Sequence, residues 1–215
     1  TGKNVTISDD GMLLMANVTG NVKYIDGKIS VVEVLEIDGN VGISTGNIIF
    51  NGKVIVKGNV QSGYIIKSED DVEIYGIVEG AEIYSRENII IHKGVHNKSS
   101  LYAEKDVKSS FVENSLIEAK GNIICDAIMH CNIKCCGKVF ANEKKGLIVG
   151  GTLKVRKSIT AKTIGSNIGT VTKIELGIDQ EIIDNYKYTN EQIEALKKNI
   201  QKLHQVGVHF LVLIN

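Results

Sequence analysis

The sequence predicts an all-β fold: a single-stranded β-helix of about eight coils of 16 to 18 residues, followed by a C-terminal helical, coiled-coil-like segment. Three observations lead there. Aliphatic residues recur at a short fixed step, proline is absent, and 22 glycines accompany a large excess of Ile and Val. β-Branched residues suit pleated strands and glycine suits tight corners, whereas proline would remove a donor from a ladder.

The step is read from Val31 through Ile37, Ile43, Ile48, Val54 and Val60 to Ile159 and Ile164, and all but one interval is five or six residues. Three such steps make one coil. A lone coil cannot bury its apolar face, so successive coils must stack, like beside like. Stacking predicts one inward column of Ile66, Ile83, Leu101, Ile117 and Ile133 and another of Val72, Ile89, Val107, Ile123 and Val139. The pairs before the second column, Asp70-Asp71, Glu87-Asn88, Lys105-Asp106, Gly121-Asn122 and Gly137-Lys138, are expected to turn corners through left-handed backbone. The one long interval, Val139 to Ile148, spans "NEKKG" and predicts a loop at 142–146 projecting from the seventh coil.

Four segments are expected. Residues 1–30 carry "SDDGML" and "YIDGKI", Asp-Gly turns between apolar alternations, and read as two hairpins leading into and capping the β-helix of 31–177. In 178–207 the period becomes helical: Ile182, Tyr186, Thr189, Ile193, Leu196, Ile200 and Leu203 alternate steps of four and three, a heptad seam with Thr189 its weak member. "TNEQ" resembles a capping box and Gly207 a helix stop. A narrow seam of this kind favours self-association or an antiparallel hairpin, with Ile193, Leu196, Ile200 and Leu203 as interaction residues. The apolar stretch 208–215 is too short to cross a membrane and reads as a strand.

All four cysteines fall within "CDAIMHCNIKCC", residues 125 to 136. A zinc site of Cys125, His130 and Cys135 can be imagined, but the spacing lacks the paired C-x2-C knuckles of structural zinc sites. On the coil frame Cys125 lies in an apolar column, Cys135 in a column of small residues, and His130 at a polar corner. Cys131 and Cys136 are expected beside corners, facing water. Four reduced thiols used as small hydrophobes are the favoured reading, with no metal, no cofactor and a cytoplasmic setting.

Lysine plus arginine equals aspartate plus glutamate at 25 each, so no global field draws the chain to nucleic acid or to an anionic membrane. No run spans a bilayer and no signal-peptide pattern opens the chain; a start at Thr1 rather than Met leaves room for segments beyond either end. No hydrolase, metalloprotease or phosphate-loop motif is found; "GNVQSGY" puts Tyr64 where a phosphate loop needs lysine. Asp70, Asp71 and Asp106, with Glu69 and Glu87, gather on one corner line, read as a solvated edge rather than acid–base carboxylates. His92 and His96 read as surface histidines. Ile49, Ile55, Ile65, Ile90 and Ile124 are expected to face outward and offer lateral contact.

The stretches "KKGLIVGGTLKVRKSITAKTIGSNIGTVTKIELG" (144–177), "GKNVTISDDG", "VLEIDGNVGISTGNI", "VKGNVQSGY" and "VEGAEIYS" together resemble the bacterial flagellar assembly protein A family. That resemblance implies a right-handed β-helix akin to the MinC C-terminal domain and the bactofilins, a coiled-coil insertion, and a role in flagellar assembly or its regulation. It supplies no catalytic residue. The expectation is a non-enzymatic, self-associating scaffold, a homo-oligomer with a protein partner of the flagellar or cell-pole machinery and no direct membrane insertion. The competing class is a solenoid enzyme, either acyltransferase or carbohydrate-active. A third reading makes the 142–146 loop a dock for a signalling protein.

Overall fold

The structure is a computed structural model that describes residues 1–177 and 180–205, and the segment 208–215 expected to form a strand lies outside the described residues. The chain divides into two compact units, Thr1–Gly177 and Ile178–Asn215. In the first, seventeen strands between Val34 and Leu176 form one sheet wound into a β-solenoid. All its pairings are parallel and join each strand to the one a turn before and a turn after.

Register fixes three inward columns that are aliphatic throughout. One runs Leu35, Val54, Val72, Ile89, Val107, Ile123, Val139 and Ile159. A second runs Val41, Val60, Val78, Val95, Val112, Ile128, Ile148 and Ile164. The third runs Ile48, Ile66, Ile83, Leu101, Ile117, Ile133, Leu153 and Ile174. Eight members per column make eight turns. From Val54 to Val139 every member is fully buried, because each is covered above and below by its counterpart.

Two differences from the sequence expectation lie at the ends. The columns open at Leu35 and Val41, not at Ile37 and Ile43: Ile43 is 94% exposed. Alternation along a strand puts residues two apart on one face, so the aliphatic pairs 35/37 and 41/43 permit two phases, and the ladder chooses. At the other end the period was expected to stop near Ile164, yet Ile174 closes the third column after a long corner rich in turn residues, Gly165 to Val171.

The corners also differ. The Asp70-Asp71 to Gly137-Lys138 line carries no left-handed residue. Its Asx side chains form a hydrogen-bonded ladder instead: Asp71 Oδ1 accepts from the Asn88 N–H at 3.0 Å, Asn88 Oδ1 from Asp106, Asp106 Oδ1 from Asn122, and Asn122 Oδ1 from Lys138. Left-handed backbone belongs to the opposite corner, where Gly63, Gly80, Lys98, Asn114, His130 and Gly150 stack with φ between 47° and 83°. Close stacking excludes side chains elsewhere: a Cβ on Gly76 would stand 2.2 Å from the Gly58 carbonyl oxygen, one turn before.

Residues before Val34 form two antiparallel hairpins, β1 (Val5–Ile7) with β2 (Leu14–Ala16) and β3 (Asn21–Ile25) with β4 (Lys28–Val32). Asp26 and Gly27, both at positive φ, turn the second. In the second unit one helix, α1, runs Gln180–Gln205. "TNEQ" is therefore not a cap; Thr189 sits mid-helix, its Oγ1 donating to the Asn185 carbonyl at 2.8 Å, which satisfies the hydroxyl without ending the helix.

Ile117→Ala, which empties a site covered on both sides, is expected to cost about 2–5 kcal/mol. Gly76→Ala, which adds one methyl, is expected to cost about 1–3 kcal/mol through overpacking. Denaturant midpoints of both variants check the pair, and a neutral Gly76→Ala would contradict the close stacking.

Candidate functional site

The cysteine cluster resolves into three separate jobs. Cys125 stands in the inner column between Ser109 and Ala141, and Cys135 in the small-residue column after Ser68, Ser85, Ala103 and Ala119. Cys131 corrects the expectation that it faces water: it is buried, in an inner corner column after Ala81, Ser99 and Ser115. Its Sγ donates to the Met129 carbonyl at 3.1 Å, as the Ser115 hydroxyl donates to Glu113 and that of Ser99 to His96. Cys135 Sγ likewise replaces the hydroxyl of Ser85, reaching the Gly121 and Lys138 carbonyls at 3.3 and 3.5 Å. Sulfur here satisfies inward carbonyls at corners. A window of sequence shows the cysteines, but not the serine columns they continue.

His130 is exposed on the left-handed corner column, so Cys125, His130 and Cys135 are not brought together. Among the described residues no three His, Cys, Asp or Glu side chains form a metal-ligating group. Burial pushes the Cys125 thiol up to about 12 and the Cys135 thiol to about 11, and raises that of Cys131.

Of the carboxylates singled out in the sequence Asp70 stays within its own corner, its Oδ1 accepting from the Asp71 N–H at 2.7 Å, and the others are taken up by stacking. Asp71 and Asp106 are rungs of the Asx ladder, while Glu69 pairs with Arg86 at 2.7 Å and Glu87 with Lys105. On the neighbouring face Glu73 binds both Lys53 Nζ at 2.8 Å and His92 Nε2 at 3.0 Å, and the His92 ring stacks on Tyr75 at 4.3 Å. The Lys53 and His92 hydrogen bonds hold the Glu73 carboxyl near 2. On the third face the register row Lys67, Tyr84, Tyr102, Glu118, Lys134 places Lys67 over the Tyr84 ring, Tyr84 on Tyr102 at 4.7 Å, and Glu118 beside Lys134 at 2.8 Å. Each outward polar residue thus complements its neighbour one turn away.

Three surfaces remain available for contact. The first is α1: every described side chain from Asn185 to Lys202 is exposed, including Ile193, Leu196 and Ile200, while the side chains of Ile182 and Leu203 lie outside the described residues. The second is the loop at 142–146, stapled by Asp126 Oδ1, which accepts from the Lys145 and Gly146 N–H groups at 2.8 and 3.2 Å. It stands over two shallow hollows of about 300 and 140 Å³ that share Ser110 and Asp126. The third was missed by sequence reasoning: Ile7, Met12, Leu13, Leu14 and Met15 of the first hairpin are about half exposed or more. The uncharged run "MLLMA" is the signal that could have found it. Of the isoleucines expected to face outward only Ile49 is exposed; Ile55, Ile65, Ile90 and Ile124 are half-buried, in register with Glu73, Glu82 or Lys108, long side chains able to lie over them.

Under native conditions a thiol reagent is expected to label Cys136 alone, with Cys125, Cys131 and Cys135 reacting only on unfolding; stabilisation by added zinc would contradict this assignment. Because Glu73 is depressed in the folded chain, its stabilisation is fully present above the unfolded carboxyl value, 4.5, and fades as pH falls toward 2. The stability gap between wild type and Glu73→Gln is therefore expected to close over that window in an acid titration, and a gap independent of pH would refute the ionic role.

Comparison with curated proteins and with solved structures gave no match. A family model described as the Flagellar Assembly Protein A beta solenoid domain matches residues 33–213, covering the whole ladder and the described helix. With its eight-turn solenoid and its exposed C-terminal helix in that matched span, the chain belongs to the flagellar assembly protein A β-solenoid family.

Proposed function

We propose that the protein is a non-enzymatic scaffold of flagellar assembly or its regulation, acting by self-association and by contact with a protein of the flagellar or cell-pole machinery in the cytoplasm. One observation carries this reading: the helix α1 presents Ile193, Leu196 and Ile200 at heptad spacing, at 42%, 59% and 42% exposure, against no surface among the described residues of its own unit. An apolar stripe left open on an isolated helix gains stability from a partner helix. The fold supports the same reading from the other side. Polar groups on the solenoid that resemble catalytic sets are engaged with the next turn, and a lattice of mutually paired side chains is suited to rigidity rather than to proton transfer.

The 142–146 loop favours one secondary reading, a docking point for a signalling protein, because it is exposed and held in shape by Asp126 above two hollows. Among the described residues no helix is long and apolar enough to cross a membrane.

Leu196→Glu with Ile200→Glu is expected to convert an associating wild-type chain into a monomer by sedimentation, with the thermal midpoint of the solenoid unchanged. In a host strain the same variant is expected to lose flagella as a deletion does. A wild-type chain that stays monomeric at high micromolar concentration would sink the scaffold reading.

A further inference from the structure

We infer that α1 pairs with α1 of a second copy of this chain, in antiparallel orientation, about a two-fold axis passing between Glu194 and Ala195. The inference rests on the scaffold reading above and adds to it the occupant, the orientation and the register.

The seam alone allows either orientation. In heptad terms Tyr186, Ile193 and Ile200 occupy the a positions and Thr189, Leu196 and Leu203 the d positions. In an antiparallel pair each a position layers on a d position of the other helix. With the axis between Glu194 and Ala195, Ile193 meets Leu196 of the second copy, Thr189 meets Ile200, and position 186 meets position 203. Six of the seven seam positions are used, and Ile182 alone is left over, at the end of the pair. A parallel in-register pair would instead stack Thr189 on Thr189. The Thr189 hydroxyl is already bonded to the Asn185 carbonyl, so it can face an apolar partner without an unpaired donor.

Charge selects between the two. Along the helix Glu181, Asp184, Glu191 and Glu194 precede Lys197, Lys198 and Lys202, with Lys187 the one exception to this segregation. A parallel pair sets acidic half against acidic half and basic against basic. The antiparallel pair sets each acidic half beside a basic one. The positions flanking the seam, Asn185, Asn190, Gln192, Lys197 and Asn199, hold a single charge, so local ion pairs do not oppose this choice. Helices in such pairs lie about 10 Å apart, close to the screening length of about 8 Å at physiological salt, so the preference is real but salt-sensitive. The same charge order makes a second copy the natural occupant, since the helix is its own electrostatic complement only when reversed.

The test uses the full chain in a Cys136→Ser background, which removes the one thiol not fully buried. Thr189→Cys and Ile200→Cys chains, carrying tags of different length, are mixed, allowed to exchange and oxidised. Disulfide-linked mixed pairs are expected to exceed like pairs by about tenfold, since only the antiparallel layer brings 189 beside 200. Predominant like pairs, or dimers by sedimentation that form no mixed link, would overturn the antiparallel pair while leaving the scaffold reading standing; a monomer would overturn both. Glu191→Lys with Glu194→Lys leaves the seam intact and is expected to raise the dimer Kd about tenfold at low salt and much less at about 0.5 M salt. An equal effect at both salts would remove the charge argument.

Discussion

Every feature of the solenoid follows from one constraint: parallel, in-register stacking of a chain on itself, so that each residue lies over its counterpart about one turn earlier. The turns vary in length, from the close spacing of Ile117 and Ile133 to the wider one of Leu153 and Ile174, yet register is kept on all three faces by absorbing the variation in corners. The core is therefore quasi-one-dimensional, three continuous columns of aliphatic side chains with shorter columns of aliphatic and small residues, Ser, Ala and Cys among them, beside them. Backbone ladder bonds and burial act on the same residues, and neither can change phase without the other.

The constraint extends outward as well as inward. Once the backbone is in register, surface side chains meet like positions at ladder spacing, and charge or aromatic faces must complement along the stack. Glu69–Arg86, Lys53–Glu73–His92 and the Tyr84–Tyr102 stack are solutions to that requirement. Residues that would suggest catalysis in another fold are here the side-chain counterpart of ladder hydrogen bonds. Burial of cysteine has the same origin: Cys131 and Cys135 stand where a small side chain fits beneath a corner carbonyl and can donate to it, and serine or alanine fills the equivalent place in earlier turns.

A solenoid so occupied with itself leaves contact to the parts that escape the register. These are the first hairpin with its run of exposed Met and Leu, the 142–146 loop inserted at one corner, and the helix that follows the last turn. The helix obeys a different period and a different logic, since its apolar seam meets no stacked neighbour among the described residues of its own unit.

The recurrence of aliphatic residues, the lack of proline and the corner glycines made the architecture legible before any coordinates, because a repeating core must repeat in composition. The columns through Ile83, Leu101 and Ile117 could be read that way, as the projecting loop could from its one long interval and the C-terminal helix from its change of period. Phase at the ends could not: Leu35 and Ile37, or Val41 and Ile43, are equally apolar and lie on one side of a strand, so only pairing with Val54 and Val60 separates them. Nor could the fate of polar residues, since whether an aspartate bonds the next turn or faces water depends on what lies a full turn away. The tertiary structure decided that Asp71 and Asp106 are rungs, that His130 takes a left-handed corner otherwise held by glycine, lysine and asparagine, and that Cys131 points inward. Sequence carries the period because burial repeats with it; the partners of individual side chains depend on register, which exists only once the turns have stacked.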